Sequence, residues 1–273
     1  MDQFKKAVDR ARGVVSPGSE QDLIEQKPHA VQARSLPQDV RSKTFPLRPA
    51  HLESMRIIAH NKDDQHTAYF DMLRTQVLHS MDANGWQFVA VTAPTPECGK
   101  TVTACNLALS MARLSERPVL LVDLDMRRPR VARYLGIEAE FGVLSVLQGY
   151  KHLSEVIVQV GIEREQLLVL PGEQARSSAE WMASPNMASL LDGIKREFRS
   201  HIVLMDMPPL LVGDDVLSIL PNLQSVLLVA EAGASSLSEI RECMKHLKAT
   251  PVVRVVLNKV TERDPTALYY KYY

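Results

Sequence analysis

Short aliphatic runs recur along the chain with longer helical patterns between them. The runs are Trp86–Thr92, Val119–Asp123, Leu167–Leu170, Ile202–Asp206, Ser225–Ala230 and Val252–Leu257. They lack the alternation of a half-exposed strand, so they predict strands covered on both faces. Between them, Phe70, Leu73, Val77 and Leu78 share one face of a helix over Thr67–Met81, and Thr101–Leu114 is apolar nearly all round, as a helix pressed on a sheet must be. The stretches Gly142–Gly149 and Leu153–Val160 predict short helices. Ser184-Pro185 caps a helix running to about Phe198, and Ser236-Leu-Ser-Glu239 is a capping box for another reaching about Lys248. About five strands alternating with helices define an α/β domain, a mainly parallel sheet with helices on both faces.

Ahead of this domain, Phe4, Ala7, Val8 and Ala11 predict a short amphipathic helix over residues 2–13, followed from Ser16 to about Pro46 by a polar, proline-broken linker. The expected organisation is therefore a partly disordered N-terminal extension at 1–45, the domain at 46–260 and a tail at 261–273. No internal repeat is present.

The chemistry begins where the first core strand breaks, at Val89-Ala-Val-Thr-Ala-Pro-Thr-Pro-Glu-Cys-Gly-Lys-Thr-Val-Thr103. A strand, a turn and then Gly99-Lys100-Thr101 opening a helix is the order a triphosphate requires, because unpaired backbone N–H groups and the positive end of the helix dipole meet at that point. This is the P-loop NTPase arrangement, although Pro94 replaces the first glycine of G-x-x-x-x-G-K-[ST]. Thr95, Pro96, Glu97, Cys98, Gly99, Lys100, Thr101 and Val102 are the candidate nucleotide-binding residues, with Lys100 reaching the β- and γ-phosphates and the Thr101 hydroxyl ligating Mg²⁺.

Two further strands end in carboxylates. Val119-Leu-Leu-Val-Asp-Leu-Asp-Met-Arg-Arg-Pro-Arg130 delivers Asp123 and Asp125, and His201-Ile-Val-Leu-Met-Asp206-Met-Pro-Pro209 delivers Asp206 with Asp215 further along the loop. At the C-terminal ends of parallel strands such groups face the ligand crevice, where they hold Mg²⁺ or accept a proton from an attacking hydroxyl. Asp206 stands where a Walker B carboxylate belongs. Arg127 is placed to answer phosphate charge, whereas Arg128, Arg130 and Arg133 are expected to face solvent. Asn258, at the end of the last strand, offers an amide to an adenine edge.

Composition narrows the classes. The 273 residues are 45% hydrophobic, enough for a sizeable core, and Lys plus Arg and Asp plus Glu each total 32, which speaks against broad electrostatic capture of nucleic acid. Cys98, Cys105 and Cys243 form neither a CxxC pair nor an even set, and no Cys/His metal cluster is visible. With no signal-peptide core and no run near ~18 apolar residues, the expected location is cytoplasmic, at the inner face of the membrane only through a partner. Four of the seven tyrosines, Tyr269, Tyr270, Tyr272 and Tyr273, fall in the last five residues. Beside a phosphoryl-transfer site, such a cluster of phenols has the look of a substrate.

Taken together, the loop Thr92–Thr101, the string Val122-Asp-Leu-Asp-Met-Arg-Arg-Pro129, Met205-Asp-Met-Pro-Pro209, Leu257-Asn-Lys-Val260 and the tyrosine-rich end resemble the bacterial tyrosine kinases that govern exopolysaccharide and capsule export, in particular their stand-alone cytoplasmic members. The resemblance covers roughly residues 46–273. It implies an ATP- and Mg²⁺-dependent protein-tyrosine autokinase. In that reading Lys100, Asp123, Asp125 and Arg127 are catalytic, with Asp123 the base, Thr101, Asp125 and Asp206 place the metal, and Tyr269, Tyr270, Tyr272 and Tyr273 are autophosphorylated. It further implies an activating membrane polysaccharide co-polymerase, a phosphotyrosine phosphatase and the capacity to form a homo-oligomer. One departure stands out: the family's Glu-x-x-Arg-x-x-Arg helix motif, tied to ring assembly, reads Ala68, Asp71 and Arg74 here. Two rivals share the fold. A ParA/MinD-like ATPase would need a second lysine where this chain has Thr95, and an ATP-binding scaffold without catalysis would carry the same binding residues.

Overall fold

The computed structural model describes residues 44–114, 116–162 and 167–261. The predicted helix at 2–13, most of the linker and the four tail tyrosines lie outside the described residues.

In chain order the elements are β1 (Thr44–Pro46), α1 (Pro49–Ser54), α2 (Thr67–Asn84), β2 (Phe88–Thr92), α3 (Lys100–Leu114), β3 (Val119–Asp123), α4 (Val131–Leu135), α5 (Val143–Leu147) and α6 (Leu153–Val156). They continue with β4 (Val158–Gly161), β5 (Leu167–Leu170), α7 (Ser178–Met182), α8 (Pro185–Glu197), β6 (Ile202–Asp206), α9 (Asp215–Ile219), β7 (Val226–Glu231), α10 (Leu237–His246) and β8 (Val252–Asn258). The strands form one eight-stranded sheet in the order β1-β4-β5-β3-β6-β2-β7-β8. Every pairing is parallel except β4 with β5, so β1 and β4 run opposite to the rest at one edge.

The unalternated runs behave as buried strands because the sheet is covered twice. Val89, Val91, Val119, Leu121, Ile202 and Leu204 point into a core shared with α2, α3 and α4. Their neighbours Phe88, Ala90, Leu120, Val122, Val203 and Met205 point into the opposite core with α5, α8, α9 and α10. Strands β2, β3 and β6 are buried at every position, so both pleat faces are removed from water.

Local signals set several boundaries. The Ser184 side chain accepts a hydrogen bond from the Met187 amide at 3.2 Å, and Pro185 occupies the first turn of α8. In α10 the Ser236 and Glu239 side chains and amides cap one another reciprocally. Helix α2 outlasts its apolar pattern to Asn84 and stops at Gly85, whose φ of 64° suits a left-handed cap. Three expectations need correction. The stretch predicted as a helix over Leu153–Val160 is helical only to Val156, and its β-branched remainder becomes β4. The sheet has eight strands, not about five, and the last residues assigned to the linker form β1.

Of the ring-assembly positions, Ala68 is exposed, whereas Asp71 and Arg74 are half-buried and turned toward α3. Asp71 accepts from Arg74 at 2.7 Å, from Ser110 at 2.6 Å and from Arg113 at 2.6 Å, which ties α2 to α3.

His201, just before β6, packs edge-on against Phe198 with ring centroids 5.1 Å apart, and its Nε2 finds no partner among the described residues. Burial, reinforced by Arg117, lowers its pKa to about 4. The folded ring therefore refuses a proton that the unfolded chain accepts below its ordinary value near 6.5. Stability is fully present above pH 6.5 and is lost as pH falls toward 4. Urea unfolding at pH 7 and pH 5 is expected to show a loss for the wild type that His201→Leu reduces by roughly 1 kcal/mol, after discounting for residual hydration. Equal pH slopes for the two proteins would refute this.

Candidate active site

The sheet order converges the functional strands. β6 lies directly between β2 and β3, so the end of β2 that feeds the phosphate loop sits beside Asp206, and Asp206 sits opposite Asp123 in register. Lys100 and Thr101 open α3 at the same edge.

Within this junction the Lys100 ammonium lies 2.7 Å from Asp125 Oδ2 and 3.4 Å from Asp206 Oδ1. The Thr101 hydroxyl donates to Asp206 Oδ2 at 2.6 Å. Burial alone would discharge Lys100, but the Asp206 and Asp125 carboxylates outweigh it and raise its pKa, so the ammonium stays charged. Burial also raises the Asp206 pKa, against the pull of Lys100. Asp123 is pushed up to about 8, first by burial and then by Asp206.

The two carboxylates of β3 and its loop differ in access. Asp123 is fully buried, and it accepts from the amides of Asp125 at 3.1 Å, Arg130 at 3.0 Å and Val131 at 3.0 Å. Asp125 lines the cavity, with Oδ1 accepting from the Arg128 amide at 3.1 Å and Oδ2 on Lys100.

The cavity has a volume of about 520 Å³, within the range of small-molecule sites. Its lining includes Pro96, Glu97, Gly99, Lys100, Thr101 and Val102 of the phosphate loop. Thr95 and Cys98 sit behind these, the thiol 3.3 Å from the Thr95 carbonyl. Among the described residues, three non-glycine positions take a left-handed backbone, namely Arg56, Glu97 and Lys259, and all three line this cavity. Strain of roughly 1–3 kcal/mol per residue is thus concentrated at one place, which is where function tends to hold it.

Asn258 is committed to the loop rather than free. Its Nδ2 donates to the Cys98 carbonyl at 2.9 Å, and a Cβ on Gly99, whose φ is +89°, would stand 2.1 Å from that nitrogen. Gly99→Ala is therefore expected to displace Asn258, cost about 1–3 kcal/mol in thermal unfolding and remove nucleotide binding. Unchanged nucleotide affinity by titration calorimetry would contradict that packing.

The arginines also depart from expectation. Arg127 pairs with Asp215 at 2.6 Å, and that carboxylate also takes the Ser178 hydroxyl. Arg128 is exposed as expected, at the rim of the cavity, whereas Arg130, also expected in solvent, is half-buried along it; their amides are bonded to Asp125 and Asp123. Arg133 is exposed as predicted. Missed from sequence were Ser54, Met55 and Arg56, which β1 and α1 bring to the cavity from a region with no hydrophobic period.

A strand, an amide-rich turn, a buried lysine at a helix start and carboxylates from two adjacent strands make this a P-loop nucleotide-binding domain. The profile of the CobQ/CobB/MinD/ParA nucleotide binding domain matches residues 89–273. EpsB of Ralstonia nicotianae, provisionally named a tyrosine-protein kinase, is 30% identical over 266 residues, which are 95% of this chain and 34% of EpsB. The tyrosine-protein kinase etk of Escherichia coli K12 is 28% identical over 200 residues, 72% of this chain and 27% of its own length. The solved kinase domain of VpsO superposes with a TM-score of 0.63 at 28% identity, covering 71% of this chain and 95% of that one. The chain belongs to the CobQ/CobB/MinD/ParA nucleotide-binding domain family, and within that family it is similar to these bacterial tyrosine kinases. It spans about a third or less of the length of these curated relatives. Among the described residues no helix is long and apolar enough to cross a membrane.

The site suits a nucleotide with Mg²⁺. One ammonium is shared by two carboxylates, Asp125 and Asp206, so the junction carries surplus negative charge for a divalent cation to neutralise. Among the described residues no group of three or more His, Cys, Asp or Glu could hold a metal alone. Mg²⁺ commonly binds through one or two side chains together with phosphate oxygens and water, and Thr101, Asp125 and Asp206 offer that set.

Proposed function

We propose that this domain, assigned to residues 46–260, is a protein-tyrosine kinase that transfers the terminal phosphoryl group of ATP to Tyr269, Tyr270, Tyr272 and Tyr273 of the tail at 261–273. The observation that carries the reading is the convergence of Lys100, Thr101, Asp125 and Asp206 at the mouth of the phosphate loop.

Mg-ATP supplies the phosphoryl group and partial neutralisation of its charge when bound. The protein's part is positioning and electrostatics. The loop amides and Lys100 would hold phosphate oxygens, while Thr101, Asp125 and Asp206 would hold the metal. Asp125 faces the cavity and suits acceptance of the phenolic proton better than Asp123. Asp123, enclosed and bonded to three amides, acts instead as a positioning residue that shapes the loop from Asp125 to Val131. Arg127, anchored by Asp215, adds positive charge beside the transferred group. With its Nδ2 on the loop carbonyl, Asn258 supports the loop and leaves its Oδ1 for an adenine amine.

The resemblance extends the proposal to a setting at the inner membrane face. There, the cytoplasmic end of a polysaccharide co-polymerase raises the rate, a phosphotyrosine phosphatase reverses the modification, and the phosphorylation state regulates exopolysaccharide export. Incubation of the full chain with γ-labelled ATP separates the readings. Label in phosphotyrosine supports a kinase. Label released as inorganic phosphate would indicate an ATPase of the ParA/MinD kind, and bound but unconsumed ATP a scaffold.

A further inference from the structure

Sheet topology gives the cavity two flanks. β8, with Asn258 and Lys259, lies two strands from β2 on one side, and β3, with the loop carrying Arg128 and Arg130, lies two strands away on the other. The charge on these flanks is handled differently. Lys259 is paired with Glu231 at 3.0 Å, and Arg127 with Asp215. Arg56, Arg128 and Arg130 line the cavity with no ion pair or side-chain hydrogen bond among the described residues.

These three are held in place deliberately. The amides of Arg128 and Arg130 are bonded to Asp125 and Asp123, which ties the loop that carries these arginines to the proposed metal and positioning carboxylates. Arg56 adopts its left-handed backbone because the buried Asn106 of α3 grips that segment. Asn106 Nδ2 donates to the Arg56 carbonyl at 3.0 Å, and its Oδ1 accepts from Ile58 at 2.7 Å and Ala59 at 2.9 Å. Beside them Tyr134 and Met55 line the wall, offering an aromatic and an apolar surface.

We propose that this flank is a phosphotyrosine subsite, which retains the already modified part of the tyrosine-rich tail while a neighbouring tyrosine enters for transfer. The inference rests on the kinase reading and names its preferred acceptor as the partly phosphorylated tail. Arginine forks match phosphate oxygens, and Tyr134 and Met55 match a phenyl ring. The unmodified segment 262–273 carries Glu262 and Asp264 against Arg263 and Lys271, a balance of two against two, so it offers the arginines no net charge. Each phosphate adds about −1.5 to −2 at neutral pH. Attraction therefore arises with the first phosphorylation and grows with the next, and multiply phosphorylated tails should accumulate alongside unmodified ones.

The test is a pair of fluorescent peptides of sequence 262–273, one unmodified and one phosphorylated at Tyr272, titrated into the full chain by anisotropy. The phosphopeptide is expected to bind at least about tenfold more tightly. The double variant Arg128→Ala, Arg130→Ala should erase that preference while Mg-ADP affinity moves less than about threefold. Arg56→Asn, which tolerates the left-handed backbone, should weaken the preference in the same direction. Equal binding of the two peptides by the wild type overturns the subsite. So does a parallel loss of Mg-ADP affinity in the double variant, which would give the arginines to the nucleotide. Binding needs no transfer, so a preference that persists in a chain unable to phosphorylate itself would fault the kinase reading and leave the subsite standing.

Discussion

Lys100→Met is expected to weaken Mg-ATP binding by about a hundred- to a thousandfold and to bring phosphotransfer below detection. Among the described residues the Lys100 ammonium faces Asp206, Asp125 and Asp123 together, and charge-assisted bonds to phosphate contribute roughly 1.5–3 kcal/mol each, so losing two at the lower end of that span, about 3–4 kcal/mol in all, accounts for the fall. The same substitution acts on the protein without nucleotide. Asp125 and Asp206 lose their shared counter-charge inside a buried site, and breaking such a pair from one side destabilises by about 3–5 kcal/mol unless a carboxylate takes up a proton. Asp123, already raised to about 8, shows that the junction favours that relief. Thermal unfolding and calorimetric titration read the two effects separately. Near wild-type ATP affinity in a folded Lys100→Met protein would remove the phosphate loop from the account.

Changing Tyr269, Tyr270, Tyr272 and Tyr273 together to Phe is expected to leave ATP affinity intact and to lower phosphotyrosine to about a tenth or less. The reason is positional: a tethered acceptor gains a high effective concentration that a phenol fixed on the folded body lacks. Tyr69 and Tyr150 are exposed on such fixed elements, and Tyr134 lines the cavity from α4. Unchanged phosphotyrosine would move the acceptor away from the tail, and Tyr134 would be the first position to examine.

Much of this site is legible in the amino-acid sequence. Unalternated aliphatic runs ending in Asp123 and Asp206 located two strands of the sheet and the sides of the crevice, because a strand buried on both faces leaves few other patterns. Gly99-Lys100-Thr101 survived the loss of the first glycine because the backbone requirement falls on Gly99, where a side chain would collide with Asn258. Other features depend on contacts distant in sequence and leave no local mark. The burial of Asp123 behind three amides separates it from Asp125 in access to the cavity, although the two are alike in sequence. Arg130 looks like a surface charge until the loop is seen tied back to Asp123. The strand β4 was hidden because four residues after a helical turn give no period to read. Arg56 was hidden for a different reason: its position is dictated by Asn106, fifty residues later.

The most direct measurement is mass spectrometry of the 262–273 peptide after the full chain has been incubated with Mg-ATP, alone and with membranes bearing a polysaccharide co-polymerase. Phosphate on one or more of Tyr269, Tyr270, Tyr272 and Tyr273, absent from the Lys100→Met protein, is the predicted result. A tail that stays unmodified under both conditions while ATP is bound or hydrolysed would contradict it.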